Sequence, residues 1–193
     1  MVNILFRVNA NDSGVYLSTI YDDEHIPVYI KKSASARLPI LKLKREVQGA
    51  LWYSRLSKED LIYDVTELPK YYSIRFNFIS GLKVNFRDGY WINRLYVERA
   101  VDKYCEIWSK EPDETIIHGD YSIDNLIFTK TGVTVIDWEH FSSNPMPKGF
   151  DALNLIYEQI YILMLNQKIN QQVFSHANSM LRKLHDYDCL DKE

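Results

Sequence analysis

Ile116-Ile-His-Gly-Asp-Tyr-Ser-Ile-Asp-Asn-Leu-Ile-Phe128, followed shortly by Val133-Thr-Val-Ile-Asp-Trp-Glu139, is the stretch on which the reading of this chain turns. Ile116-Ile117, Leu126-Ile127-Phe128 and Val133 to Ile136 are short apolar runs of strand character, and the residues between the first two are polar and turn-rich. A strand, a loop and a hairpin in that order gather His118, Asp120, Asn125 and Asp137 at one edge. A lone His-x-Asp reads as an acidic connector between strands. Four spaced polar positions followed by an apolar-flanked Asp-x-Glu rarely coincide by chance, so the stretch reads as a site.

Upstream, the chain starts as strands. Asn3 to Val8, Val15 to Tyr21 and Ile26 to Lys31 are separated by the turn-rich Asn9-Ala-Asn-Asp-Ser-Gly14 and by Asp22-Asp-Glu24, which predicts an antiparallel meander. Ser33 to Pro39 reads as a loop. Leu41 to Leu56 carries Leu43, Val47, Ala50, Leu51 and Leu56 at helical spacing, and the basic residues from Lys42 to Arg45 are one solvated face of that helix. Tyr71 to Ile79 alternates as a strand, with Tyr72, Ile74, Phe76 and Phe78 on one face. A helix follows from about Trp91 to Trp108. Downstream, Asn144-Pro-Met-Pro-Lys-Gly149 reads as a loop, and helices begin near Asp151 and near Gln171. The prediction is an α+β chain of two lobes: residues 1–80 as a small antiparallel β lobe with one helix, and residues 81–193 as a minimal, mostly helical lobe, with a cleft between them.

Composition narrows the classes. A chain of 193 residues with 46% hydrophobic and 25% charged content suits a globular protein with a real core. A net charge of -3 gives no basic field for nucleic acid. The most apolar segment, Phe150 to Leu165, includes Asp151, Asn154, Glu158 and Gln159 and falls short of a membrane span. The N-terminal apolar run is too short for a signal peptide. Cys105 and Cys189 have no metal-ligand spacing, which points to a reduced cytoplasmic setting. Nothing in the sequence speaks to oligomeric state.

The side chains of the central stretch are those that phosphoryl transfer uses: a carboxylate to take the proton of an attacking hydroxyl, and hard oxygen donors to hold Mg on nucleotide phosphates. Asp120, Asn125 and Asp137 supply them. His118-Gly-Asp120 with Asn125 fits His-x-Asp-x-x-x-x-Asn, and Ile136-Asp-Trp-Glu139 stands where protein kinases carry Asp-Phe-Gly. The combination resembles the aminoglycoside phosphotransferase and choline kinase family, together with sugar and lipopolysaccharide-core kinases that share this grammar. That resemblance implies a two-lobed protein-kinase-like fold, with Asp120 as catalytic base and Asn125 and Asp137 as Mg ligands. It makes His118 a structural support of the loop. Glu139 becomes a candidate helper at the metal, and His140 a candidate on the acceptor side, against the blander reading of each as a surface residue.

The resemblance also asks for a lysine on the third strand, positioned by a glutamate on the next helix. Val28-Tyr-Ile-Lys31 has the V-A-I-K form and Glu46 lies on the following helix. Alternation sends Lys31 and Lys32 to opposite faces, and the motif selects Lys31. Phe76 and Phe78, on the strand before the lobe junction, become candidate adenine lining, although core packing explains them as well. No G-x-G-x-x-G is present; Asn9 to Gly14 is either a phosphate loop or a plain hairpin turn. Asp151 sits at a helix start, where capping is the simple reading. The resemblance adds a second role for it, bracing the backbone of the His118 loop.

The implied activity is transfer of the γ-phosphate of ATP or GTP to a hydroxyl of a small molecule. A sugar or an amino alcohol is the expected acceptor, and a carbohydrate of surface-polysaccharide biosynthesis is the favoured one. The alternatives are a nucleotide-binding pseudokinase acting as a scaffold, which retention of Asp120 and Asp137 opposes, and a compact atypical protein kinase. Trp138-Glu139 in place of Phe-Gly, and the short path to Asp151, oppose the latter.

Overall fold

A computed structural model describes residues 9–10, 14–85, 90–110, 114–165 and 169–190. The expected strand from Asn3 to Val8 lies outside these, as do Asn11, Asp12 and Ser13 of the candidate phosphate loop. The chain is α+β, with a main antiparallel sheet and four α-helices among the described residues, and is compatible with a kinase-like fold. It divides into two compact units, one made of residues up to Ile79 together with Trp138–Phe141, the other of Ser80–Asp137 and Ser142 onward.

The first unit holds β1 (Asn9–Ala10), β2 (Tyr16–Tyr21), β3 (Pro27–Ala34), α1 (Arg37–Ser57), β4 (Ile62–Leu68) and β5 (Tyr71–Asn77). Its sheet runs β1-β2-β3-β5-β4, so the expected meander is extended by β5 beside β3, with β4 at the edge. Tyr72, Ile74 and Phe76 alternate along β5 and, with Val15, Ala34 and Leu43, make the core against which α1 packs. That helix starts at Arg37, before the expected Leu41, and takes in Pro39. Pro39 is in the first turn, where no backbone donor is needed, so it does not stop the helix. Ile62-Tyr-Asp-Val-Thr-Glu-Leu68 carries too few buried positions to announce a strand, and it forms one by pairing with β5 as an edge.

The second unit holds α2 (Tyr90–Trp108), β6 (Glu114–Ile117), β7 (Leu126–Phe128), β8 (Val133–Val135), β9 (Ser142–Pro147), α3 (Phe150–Leu165) and α4 (Gln171–Asp186). Val97, Ala100, Val101, Tyr104, Ile107 and Trp108 recur at threes and fours along α2 and are buried. Each large side chain so buried contributes about 1.5–3 kcal/mol. Polar groups of this helix hold the neighbouring segments: Trp108 Nε1 donates to Ile116 O at 2.8 Å, and the Ala100 carbonyl accepts from Tyr121 Oη at 2.8 Å. The segment expected as a loop over Asn144–Gly149 is corrected, since most of it is β9, paired antiparallel with β6. Its two prolines are tolerated because a two-stranded ribbon leaves one side of each strand without ladder bonds. Cys105 and Cys189 carry free thiols and are both buried. No helix among the described residues is long and apolar enough to cross a membrane.

Candidate active site

Local chain geometry brings Asn125 and Asp137 together. β7 and β8 form a tight hairpin with Leu126 opposite Val135 and Phe128 opposite Val133, all buried. One further bond, Ile136 N–H to Asn125 O at 3.0 Å, extends the ladder by a pair beyond the hairpin. Asn125 ends a single 3₁₀ turn, Ile123–Asn125, and Asp137 follows Ile136 directly. Asp137 has φ of 64°, a left-handed backbone that costs a non-glycine residue free energy and persists only where surrounding structure holds it.

Asp120 and Asn125 are bonded to each other. The Asn125 Nδ2 group donates to Asp120 Oδ2 and to Asp120 O, both at 2.9 Å. The carboxylate is thereby held in one orientation, and the amide oxygen of Asn125 is turned to the opposite edge. His118 lies beneath them, fully buried. Its Nε2 lies 2.9 Å from the carbonyl oxygen of Ile136, which can only accept, so Nε2 carries the hydrogen. Nδ1 then accepts from the Asp120 N–H at 3.3 Å. One imidazole ring thus ties the residue before Asp137 to the backbone of Asp120.

The same loop is braced from α3. Asp151, 1% exposed, accepts from His118 N–H at 2.7 Å through Oδ2 and from Gly119 N–H at 3.1 Å through Oδ1. Both oxygens are therefore engaged with the loop. Gly119 takes φ of 83°, open to glycine at little cost, which lets consecutive N–H groups converge on one carboxylate. Burial pushes the Asp151 carboxyl up to about 6; the two N–H bonds oppose this and the charge of Asp120 adds to it.

The first unit resolves the lysine differently from the motif. Lys32 Nζ, not that of Lys31, lies 2.5 Å from Glu46 Oε1, with side-chain exposures of 17% and 2%. Lys32 also approaches the ring of Phe76, with Nζ 6.0 Å from its centre. Lys31 lies on the other face, 5.7 Å from the centre of the Tyr71 ring. The signal was strand parity: Val28, Ile30, Lys32 and Ala34 share a face, and their partners Phe76, Ile74 and Tyr72 belong to the core side of β5. Phe78, 38% exposed, follows the end of β5. Glu139 lies 3.8 Å from Lys42 Nζ on α1 and 3.3 Å from Nε2 of the exposed His140, so its described partners belong to its own unit.

Sequence reasoning missed Glu158. It stands seven residues after Asp151 on α3, on the same side of the helix. Its carboxyl is raised first by burial and then by the charges of Asp120 and Asp124. The one available signal was an acid inside an otherwise apolar helical run.

The donor set suits Mg. Asn125 and Asp137 offer one amide oxygen and one carboxylate, and no three acidic, histidine or cysteine side chains among the described residues form a metal-holding group. A site of that kind relies on nucleotide phosphates and water for the remaining ligands, which is how Mg is commonly held.

No curated protein matches the chain. Residues 81–146, which run from before α2 through the His118–Asp137 stretch and into β9, match the model of the phosphotransferase enzyme family APH. That match takes in His118, Asp120, Asn125 and Asp137 together, so over this stretch the chain is similar to that phosphotransferase family.

Proposed function

We propose that this protein transfers the γ-phosphate of ATP or GTP to a hydroxyl of a small molecule, a sugar or an amino alcohol. The observation that carries the reading is the bond between the Asn125 amide and the Asp120 carboxylate, made beside the hairpin end that delivers Asp137. Asp120 takes the proton of the attacking hydroxyl, and Asn125 holds the accepting carboxylate in place. Asn125 and Asp137 are the residues that would hold Mg. When bound, the ion neutralises charge on the phosphates. Lys32, positioned by Glu46, takes the phosphate-holding role that the motif assigns to Lys31. His118 and Asp151 touch no reacting atom in this reading; they fix the loop backbone so that the base and the metal oxygens keep their spacing.

The test is a thermal-shift titration with ATP, GTP and Mg. Ligand that binds only the folded state raises stability by roughly 2.7 kcal/mol at a hundred times its dissociation constant. The expected result is a Mg-dependent shift with at least one nucleotide, abolished by Asp137→Ala. A shift that needs no Mg and survives Asp137→Ala would favour a nucleotide-binding scaffold. No shift with either nucleotide would count against the reading as a whole.

A further inference from the structure

Gly49 is in the middle of α1 and buried, although glycine weakens a helix interior relative to alanine. The structure gives the reason. A Cβ on residue 49 would lie 2.8 Å from both Cβ and Cε3 of Trp138 and 2.9 Å from Cβ of Phe141, closer than real contacts allow. The turn Trp138–Phe141 is therefore seated directly on the α1 backbone. Trp138 is 1% exposed and packs edgewise on Trp52, with ring centres 5.7 Å apart, and on Tyr53 at 5.4 Å. The Lys42–Glu139 pair fastens the rim of the same seat. Gly49 is one turn after Glu46, so one face of α1 carries both the partner of Lys32 and the seat of Trp138.

Asp137 precedes Trp138 by a single peptide bond and holds the left-handed φ of 64° described above. A conformation of that kind needs neighbours that over-determine it. We propose that Gly49 is a positioning residue for the Asp137 carboxylate, acting through the seat it leaves open for Trp138. The inference rests on the reading of Asp137 as a metal ligand. A methyl group at position 49 lifts Trp138, and the displacement passes through one peptide link to the backbone that aims the carboxylate. The residue that sets metal affinity is thus on a helix that supplies no metal ligand.

The experiment titrates Mn(II) into the full chain with a saturating non-hydrolysable ATP analogue, reading free Mn(II) by electron paramagnetic resonance. Nucleotide affinity is measured separately without metal. Gly49→Ala should weaken Mn(II) binding about tenfold or more while leaving metal-free nucleotide affinity within about twofold, since 1.4 kcal/mol of lost positioning corresponds to a factor of ten. Val97→Ala, which hollows the buried face of α2, is the control for general loosening and should leave Mn(II) affinity unchanged. If Gly49→Ala does not fold, Trp138→Phe replaces it: the smaller ring under-fills the seat and should weaken Mn(II) binding in the same sense. Wild-type Mn(II) affinity in the folded variant overturns the proposal, as does an equal loss in Val97→Ala. Asp137→Ala separates the two ideas. If that variant binds Mn(II) normally, the metal reading falls and this proposal falls with it; if it loses Mn(II) while Gly49→Ala does not, this proposal alone is wrong.

Discussion

At Lys32 the ammonium group is drawn against a carboxylate that water scarcely reaches, whereas Lys31 spreads its charge over an aromatic ring on the opposite face of β3. Removing one partner of a buried pair leaves the other charged and poorly solvated, a loss of about 3–5 kcal/mol. Lys32→Ala should therefore destabilise the protein by an amount of that order and abolish the nucleotide-induced thermal shift. Lys31→Ala, which gives up a cation–ring contact of about 0.5–1 kcal/mol, should keep both close to wild type. Urea unfolding and the nucleotide titration, run side by side, distinguish the two. Equal effects from both substitutions would remove Lys32 from the phosphate-holding role.

Elements whose burial follows one regular period are legible from sequence. α1 and α2 carry threes-and-fours of apolar residues, and β5 alternates Tyr72, Ile74 and Phe76, so their existence and facing follow directly. The stretch from His118 to Asp137 is legible for a related reason, because Asp120, Asn125 and Asp137 are brought together by a turn and a hairpin within a short length of chain. Where partner choice rather than pattern decides, the sequence is mute. β4 exists because β5 offers it an edge, and β9 because β6 does, despite two prolines. Whether Lys31 or Lys32 meets Glu46 depends on which parity of β3 faces the core, which a motif ending in lysine does not report. The charges of Asp120 and Asp124 act on Glu158 across more than thirty residues of chain, and no local pattern carries that information. Gly49 likewise looks like an ordinary weak point in a helix until the rings above it are seen.

Across the whole molecule, buried ionisable groups set how stability follows pH, and they pull in different directions. Asp151 has its folded value raised to about 6 from 3.8, so the folded state binds more protons between those values. Its contribution is fully present below the unfolded value and is lost as pH rises through the folded one. His176, in contact with Glu98 at 2.8 Å, is lowered chiefly by burial, so its contribution has the opposite slope: it is gained as pH rises. The total is thereby flattened, and the clean quantity is the difference between wild type and Asp151→Asn. The amide variant has no charge to bury, though it gives up one acceptor to the His118–Gly119 backbone. Relative to it, wild type should lose about 3 kcal/mol between roughly pH 4 and pH 6. Urea unfolding at a series of pH values measures this, and a difference independent of pH would show that the buried carboxyl titrates as an ordinary one.

The two buried thiols offer a clock for motion in the second unit. Cys105 and Cys189 are the whole cysteine complement of the chain, and a water-borne alkylating reagent reaches neither while the unit is closed. Their labelling rate in native buffer therefore counts openings of α2 and of the segment after α4, with no engineered probe. A nucleotide that tightens the second unit should slow both labels together. If one slows and the other does not, the segment after α4 breathes independently of the helix that backs the His118–Asn125 loop, and mass spectrometry of the labelled peptides would say which.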